Sequence, residues 1–375
     1  MEKIVPVMMK LIKDVISESN VDCSFFLSLT SSEQDSMYTL ASSHSIANII
    51  GEAVGSVSPK FQKAAFESVF QYETIQNDIS LVQSIFNELK IPYILLKGSR
   101  LCNYYPQPWL RSRGDLDILI HECDIKSAVT ELCNHNFIYE NDNYHDIHLT
   151  SPSGICFELH FKILENNPNL DVVLSQVWDY SHSFKDSEWE MSNEYFVFHQ
   201  IAHMAYHFLA GGCGIRPFID LYVLKNKLNY DESKVIALCV EAKIDTFYNN
   251  IQSLIDIWFD NGEHTLTTKK MEEYILTGGV FGNLENRLLV KEHSNHRNIS
   301  YYFSRLFLSY DALCLSYPSL KGHRYLLPYY EVKRWCKLLN KSKRKQLEKE
   351  FKVRKELSSI SIESVGDLLD QLGLK

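Results

Sequence analysis

The chain has 375 residues, of which 45% are apolar and 23% charged, and its net charge at pH 7 is −9. That length is enough for a large core and for two or three domains. The acidic balance excludes a broad nucleic-acid-binding face, which needs clustered positive charge, and leaves room only for a local basic groove. No apolar run approaches the roughly 18–20 residues of a membrane span. The lysine-bearing N-terminus continues into a polar helical pattern without a small-residue cleavage site, so no signal peptide is expected. Nine scattered cysteines, odd in number and without a C-x-x-C pair, read as free thiols of a reducing compartment, and the expected location is cytoplasmic.

Residues 1–90 read as helical, most clearly over 75–90, where Ile75, Ile79, Val82, Ile85, Phe86 and Leu89 recur at helical spacing. Pro92 ends that pattern, and Tyr93-Ile94-Leu95-Leu96 is an apolar run closed by Gly98, which predicts a buried strand. A short helix is expected from Ser99 to about Tyr105, ended by Pro106 and Pro108. A basic, polar loop with Arg111 and Arg113 follows, and Gly114 precedes a predicted strand, Asp115–Ile120. Residues 123–134 place Ile125, Val129 and Leu132 on one helical face. Phe137–Glu140, His145–Thr150 and Ile155–Phe161 read as three strands, with Pro152-Ser153-Gly154 as the hairpin turn between the last two. Beyond Asn166-Asn167-Pro168, long helical patterns run from about 194 to 260 and from about 268 to 340. The basic segment Lys341–Lys355 reads as a solvated helix face. The expected fold is α+β: a small mixed-sheet core at 91–165, ordered β-α-β-α-β-β-β, between an N-terminal helical region (1–90) and a C-terminal helical domain (166–375).

Asp115 and Asp117 are separated by one residue. On a strand both carboxylates point to one face, while Leu116, Ile118 and Ile120 point into a core. Two adjacent carboxylates repel unless neutralised. Mg²⁺ (or Mn²⁺) is the natural partner, because Mg²⁺ takes oxygen ligands from one or two carboxylates together with substrate phosphates. Glu158 alternates in the same way: Phe157, Leu159 and Phe161 face a core, and Glu158 and His160 face away from it. If that strand lies beside the aspartate strand, three carboxylates converge. Such a cluster can hold metal, activate an attacking hydroxyl and steady a leaving pyrophosphate. An isolated D-x-D is more often a pair of surface aspartates at a strand start; the turn upstream and the glutamate strand downstream change that balance.

Gly98 lets a phosphate approach the backbone, and Ser99 offers a hydroxyl at a helix start with unpaired N–H groups. Lys97, Arg111 and Arg113 are candidates to pair with triphosphate oxygens, the arginines bidentately. Their plain alternative is surface charge. Together these residues suit Mg²⁺-dependent transfer of a nucleoside monophosphate from an NTP to an acceptor, with release of pyrophosphate.

Leu96-Lys97-Gly98, Tyr104 and Tyr105, Arg111 or Arg113, the strand Gly114-Asp115-Leu116-Asp117-Ile118-Leu119-Ile120, and Glu158-Leu159-His160 form an ordered set. This set resembles the nucleotidyltransferase superfamily related to DNA polymerase β and, more narrowly, the bacterial nucleotidyltransferase family NTP_transf_5. The similarity continues loosely through His203 and His207, Gly214-Ile215-Arg216 and Asp220-Leu221, to Leu326-Leu327-Pro328 and Arg334, and covers about 75–340. It implies that Asp115 and Asp117 are metal ligands, that Glu158 is the third carboxylate, and that Gly98 and Ser99 contact the phosphates of ATP or another NTP. The acceptor it leaves open is a small molecule, an RNA or a protein. The Ser99–Asp115 spacing is longer than the compact superfamily pattern. The extra loop, with two prolines and Trp109, is expected to reshape the acceptor pocket and bears on the phosphate contacts of Arg111 and Arg113.

His199, His203 and His207 repeat every four residues and share one helical face. His199-Gln200-Ile201-Ala202-His203 has the outline of a zinc-protease H-E-x-x-H motif, but an amide at Gln200 cannot act as the general base. The histidines then either hold a non-catalytic metal, pack, or line the cleft. The resemblance favours His203 or His207, with Arg216 and Asp220, lining the nucleotide or acceptor cleft. Tyr104-Tyr105 and Tyr329-Tyr330 are candidates to stack a base, with ordinary packing as the alternative. Two rival functions remain at this point. One is a toxin-like nucleotidyltransferase that modifies tRNA or protein. The other is a non-catalytic nucleotide-binding scaffold, which has no reason to tolerate the repulsion of three acids.

Overall fold

Five helices precede the first strand: α1 (Ile4–Ile16), α2 (Ser24–Leu27), α3 (Ser31–Ser43), α4 (Ala47–Val54) and α5 (Pro59–Leu89). The computed structural model describes residues 2–294 except 166, 280 and 281, residues 359–374, Val353, and between 308 and 338 all but 309, 311, 312, 315, 316 and 321. Helix α3 starts at a reciprocal cap, in which the Thr30 hydroxyl accepts from the Glu33 N–H and Glu33 reaches back to the Thr30 N–H. Helix α5 opens with Pro59 at its first turn, where the missing N–H costs nothing. Gly51 on α4 lets α5 lie directly on its backbone: a Cβ there would stand 2.3 Å from the Phe61 carbonyl oxygen.

The sheet follows. Its elements are β1 (Tyr93–Leu95), the short α6 (Gly98–Leu101), β2 (Asp115–Ile120), α7 (Ile125–Asn134), β3 (Ile138–Asp142), β4 (Asp146–Thr150), β5 (Cys156–His160), α8 (Pro168–Leu174), β6 (Ser181–Lys185) and β7 (Glu188–Met191). The order across the sheet is β3-β4-β5-β2-β1-β7-β6. β2 and β5 run parallel, as do β1 and β7, while β1–β2, β4–β5, β3–β4 and β6–β7 are antiparallel. The sheet is therefore mixed, and the element order expected for 91–163 is present. The β6–β7 hairpin, which the sequence reading did not identify, extends the same sheet beyond β1. The first run, Ser-His-Ser-Phe-Lys, is polar and mostly exposed, and the second, Glu-Trp-Glu-Met, alternates over only four residues, too short a stretch to mark a strand.

Two cores flank the sheet. On one face Leu116, Ile118, Ile120, Ile147, Leu149, Phe157 and Leu159 pack with the second half of α5 (Ile75, Ile79, Val82, Ile85, Phe86) and with Ala128 and Leu132 of α7. On the other, Ile94, Leu96 and Leu119 join the larger helical core. Strands buried on both faces read as continuous apolar runs, which is why Tyr93–Leu96 and Ile118–Ile120 look unalternating. The larger core is completed by α9 (Asn193–Leu209), α10 (Arg216–Lys227), α11 (Glu232–Glu241), α12 (Asp245–Phe259) and α13 (Leu266–Gly278). Further on lie α14 (Leu284–Ser294), α15 (Leu327–Leu338) and α16 (Ser359–Gln371), and α16 packs against α13 and α14. The basic segment at 341–355 lies, apart from Val353, outside the described residues. No described helix is long and apolar enough to cross a membrane. The cysteines whose side chains are described are all free thiols.

Candidate active site

Strand alternation and register assemble the acids. Asp117 on β2 lies opposite Glu158 on its parallel neighbour β5, and the next pairs place His148 of β4 opposite Glu158 and Asp146 opposite His160. With Ile147, Leu149, Phe157 and Leu159 turned into the core on one side, the polar residues of all three strands share the other face. Asp115 sits two residues before Asp117 on that face, at the solvent-open start of β2.

Asp117 is 5% exposed. Its Oδ1 is 3.1 Å from His160 Nε2 and 3.8 Å from Lys97 Nζ. Burial pushes its carboxyl up, but the Lys97 charge and the His160 hydrogen bond outweigh this and hold it far below the usual carboxylate range. His160 Nε2 is also 3.5 Å from Glu158 Oε2, and His148 Nδ1 is 3.7 Å from Glu158 Oε1. Burial lowers His160, but its bonds to Asp117 and Glu158 prevail and raise it to about 9. Asp115 moves the other way from Asp117: although it is open on the cleft side, the protein packed around its carboxyl and then the Asp117 charge raise it. Asp117, Glu158 and His160 offer ligand atoms within 4.8 Å of one another. The sequence placed His160 on this face; only the fold shows it wedged between the two acids.

The turn after β1 supplies the facing cation. Lys97 adopts φ 40° and ψ −114°, a conformation unusual for a side-chain-bearing residue. Such strain is held in place by its surroundings and clusters at functional sites. Here the Leu96 N–H bonds to the Asp117 carbonyl, and Nζ comes back towards the Asp117 carboxylate. Gly98 permits a close approach of a different kind from the one the sequence suggested: a Cβ would lie 3.0 Å from the Arg113 side chain. Ser99 is 6% exposed and sits behind the turn, where Arg113 Nη1 donates to its hydroxyl at 3.4 Å.

A cleft of about 460 Å³ opens over these groups. Lys97, Gly98, Asp115 and Asp117 form its floor; Arg111, Arg113, Arg216, His203 and His207 line it, and polar residues of α3–α5, among them Ser42, Asn48, Ser68 and Gln71, close the far wall. The arginines have distinct roles. Arg111 is committed: its Nε donates to Asp220 Oδ1 at 2.6 Å and its Nη1 to the Ser112 carbonyl at 2.6 Å. Tyr105 donates to the same Asp220 oxygen at 2.7 Å. Arg113, 5% exposed, lies over the Tyr72 ring, and its Nη2 is buried with no hydrogen-bond partner. Arg216 donates from Nη1 to the Ser112 carbonyl at 3.2 Å, while its Nε is likewise buried and unpartnered. Burial first, and the neighbouring Arg111 charge second, lower Arg216 to about 10. Buried guanidinium N–H groups without acceptors are rare in folded proteins.

Helix α9 presents the histidines. Its start is capped by Ser192, whose hydroxyl accepts from the Tyr195 N–H. His199 is 1% exposed and turned into the interior, with Nδ1 3.2 Å from Gln200 Nε2 and Nε2 buried without a hydrogen-bond partner. His203 and His207 reach the cleft. His203 Nδ1 lies 2.8 Å from Glu165 Oε1, and the two Nε2 atoms of His203 and His207 are 2.9 Å apart. With the Nδ1 proton of His203 given to the carboxylate, its Nε2 is a bare acceptor and His207 Nε2 donates. Burial lowers both imidazoles, so neither carries charge at neutral pH. The groups of three or more metal-ligating side chains among the described residues lie on the sheet and not on α9.

Several participants carried no usable sequence signal. Asn48 donates from Nδ2 to the carbonyls of Trp109 and Leu110, at 3.1 and 2.8 Å, and Ser68 donates to the Trp109 carbonyl. These bonds from α4 and α5 pin the proline-bearing loop against the cleft. Glu165, which holds His203 Nδ1, lies in the loop before α8 and belongs to no motif. Of the stacking candidates, Tyr105 is occupied by Asp220, Tyr104 packs against Phe196, and Tyr330 lies against Tyr317 in a small cluster near α15. Arg334 pairs with Glu331 at 2.9 Å on α15.

The fold and site define an α+β protein in which a mixed sheet offers acids to a cationic cleft walled by helices. The chain belongs to the nucleotidyltransferase family NTP_transf_5, described as "Uncharacterised nucleotidyltransferase", whose model matches residues 30–260. The matched span runs from the cap of α3 to the end of α12, so it holds every element named around the cleft. No curated protein and no solved structure matches the chain. The family assigns a nucleotidyltransferase activity and with it an NTP substrate.

Proposed function

We propose that this cleft transfers a nucleoside monophosphate from an NTP to an acceptor nucleophile and releases pyrophosphate, in a reaction that depends on Mg²⁺ or Mn²⁺. Asp117 and Glu158, whose ligand atoms converge, fit a hard divalent ion, and Asp115 would approach it from the same sheet face; all three are oxygen donors, and Asp117 stays ionised despite burial. Bound there, the ion would neutralise phosphate charge and orient the reacting oxygens. The observation that carries the reading is the pair of orphaned guanidinium nitrogens, on Arg113 and Arg216, in residues that line the same cleft as Asp115 and Asp117.

In this reading the triphosphate lies between the Lys97-Gly98 turn and the arginines. Arg113 and Arg216 receive the pyrophosphate oxygens as the bond from the α-phosphorus breaks. Glu158, more open than Asp117 (side chains 23% and 6% exposed), takes the proton of the acceptor as its oxygen attacks that phosphorus. Arg111 acts through Asp220 and holds α10 in place. The regions 1–90, 91–165 and 166–375 then contribute the far wall, the acids and most of the histidine and arginine lining. A cytoplasmic location suits the free thiols.

The test is incubation of the protein with each α-³²P-labelled NTP, Mg²⁺ and a cell extract, followed by separation of labelled small molecules, RNA and protein. Label should appear in one fraction and vanish with Asp115→Asn and Asp117→Asn. Transfer undiminished in both variants refutes the site. Tight NTP binding with no transfer to any fraction favours the scaffold reading.

A further inference from the structure

The sheet face beyond the three acids holds a second group of ligand side chains that the proposed reaction does not use. Asp146 opens β4 with His145 just before it, and Asp146 is paired in register with His160 on β5. The ligand atoms of His145, Asp146 and His160 all lie within 4.8 Å of one another. We infer that these three residues form a transition-metal site for a borderline ion of the Zn²⁺ type, sharing His160 with the neighbouring group of Asp117, Glu158 and His160 but not its acids.

Four observations carry this. The donor set is two imidazoles and one carboxylate, which suits zinc and its first-row neighbours; Mg²⁺ prefers oxygen and retains its waters. Asp146 is 3% exposed, and its carboxylate is oriented from outside the triad by Asn143, whose Nδ2 donates at 2.7 Å, with His148 Nε2 at 3.2 Å. Buried ligand carboxylates fixed by such outer hydrogen bonds are the usual support of a metal. The His145 and His160 rings stand 6.1 Å apart, tilted by 36°. Finally, His145 Nε2 contacts Asp146 Oδ2 at 3.0 Å, yet its Nδ1 is buried with no hydrogen-bond partner. A hydrogen-bonded network alone leaves that nitrogen orphaned, whereas a lone pair on neutral imidazole is a ligand.

The spacing is compatible. Ligand atoms about 2.0–2.2 Å from zinc stand roughly 3.4 Å apart, so the present arrangement closes on an ion by small side-chain rotations. His160 connects the two centres, because its Nε2 touches Asp117 and Glu158. An ion on the triad therefore anchors the imidazole that separates the two acids.

The inference does not depend on the nucleotidyl-transfer reading and is tested without it. The full chain is stripped with EDTA, dialysed, and titrated with Zn²⁺ by calorimetry in saturating Mg²⁺. Co²⁺ titration in parallel is read by visible absorption for mixed nitrogen and oxygen coordination. One equivalent of Zn²⁺ should bind despite Mg²⁺, and His145→Ala and Asp146→Asn should each weaken it by roughly 100-fold, since loss of even an outer partner costs 10–100-fold. Circular dichroism of each variant shows that the fold is kept; His145, with a side chain 23% exposed, is the variant least exposed to misfolding. Zn²⁺ binding unchanged in both variants, complete displacement by Mg²⁺, or no binding at all overturns the proposal. So does binding that is lost in Cys156→Ser but kept in His145→Ala, which assigns the ion to the neighbouring group of His148, Cys156 and Glu158.

Discussion

Replacing Asp220 should cost far more stability than any exposed ion pair in this protein, because it strands two cations. Arg111 and Asp220 meet at 2.6 Å with side chains 8% and 3% exposed. Two unit charges about 4 Å apart at an effective dielectric of 20 attract by about 4 kcal/mol, and removing one partner of a buried pair costs about 3–5 kcal/mol. Asp220→Asn keeps the shape and an acceptor for Tyr105, but leaves Arg111 and the adjacent Arg216 repelling each other without a carboxylate between them. We expect a loss of ~3 kcal/mol in urea unfolding at neutral pH, followed by far-ultraviolet circular dichroism. The double variant Arg111→Met/Asp220→Leu should recover most of it, since no buried charge is then left alone. The control is Lys225–Asp256, a pair at 3.1 Å whose side chains are 42% and 44% exposed, where solvent screening leaves no more than ~0.5 kcal/mol. A loss below ~1 kcal/mol for Asp220→Asn, or single-variant losses that simply add in the double variant, refutes the argument. Because Asp220 ties α10 to the Arg113 loop, NTP affinity should fall in the same variant.

Asp117→Asn should reduce label transfer by about 100-fold or more while leaving the circular-dichroism spectrum intact; a rate within tenfold of the parent contradicts its role. Arg113→Met should separate binding from stability. NTP binding weakens by about 10–100-fold as charged hydrogen bonds are lost, while the unfolding midpoint holds or rises, because a buried unpartnered N–H has gone. In metal-free protein, His160 is raised from its ordinary 6.5 to about 9. Its pairing with Asp117 and Glu158 then contributes fully below pH 6.5 and is lost as pH rises through about 9, a change of at most ~3 kcal/mol. The Asp117 depression combines the Lys97 charge with this same His160 contact, so the His160 share is not added again. His160→Gln should flatten that limb of a pH–stability profile measured in EDTA, and a limb of unchanged slope counts against the pairing. Gly51→Ala should cost ~1–3 kcal/mol, since the new methyl meets backbone and α4 and α5 must part; Gly114→Ala, with nothing within 4 Å, should be silent.

The strand and helix order from β1 to β5 was legible because local patterns carry it. Apolar alternation in Asp115–Ile120 and Cys156–His160, the break at Pro92 and the turn at Pro152-Ser153-Gly154 each act over a few residues. The β6–β7 hairpin was not, because β6 is a polar edge strand and the four-residue β7 is held by pairing with β1, distant in the chain. The histidine helix was half legible. Spacing put three imidazoles on one face, but whether each is buried or open depends on what packs above it, and only His203 and His207 reach the cleft.

By itself the sequence determined that Asp115 and Asp117 share one face of a strand and that Glu158 and His160 turn away from a core. A period of two residues needs no tertiary information. It also determined the residue types, acids beside a Lys-Gly turn and arginines, from which an activity on phosphate could be argued. Tertiary structure alone decided that β5 lies parallel to β2 in the register that sets Glu158 against Asp117, and that His160, 43 residues away, stands between them. It alone decided that Arg111 is captured by Asp220 across 109 residues while Arg113 and Arg216 are left with unpartnered nitrogens. The difference is physical. Side-chain direction follows from the local backbone, whereas a partner, and with it the charge state and availability of each group, depends on which distant surfaces the two cores bring together.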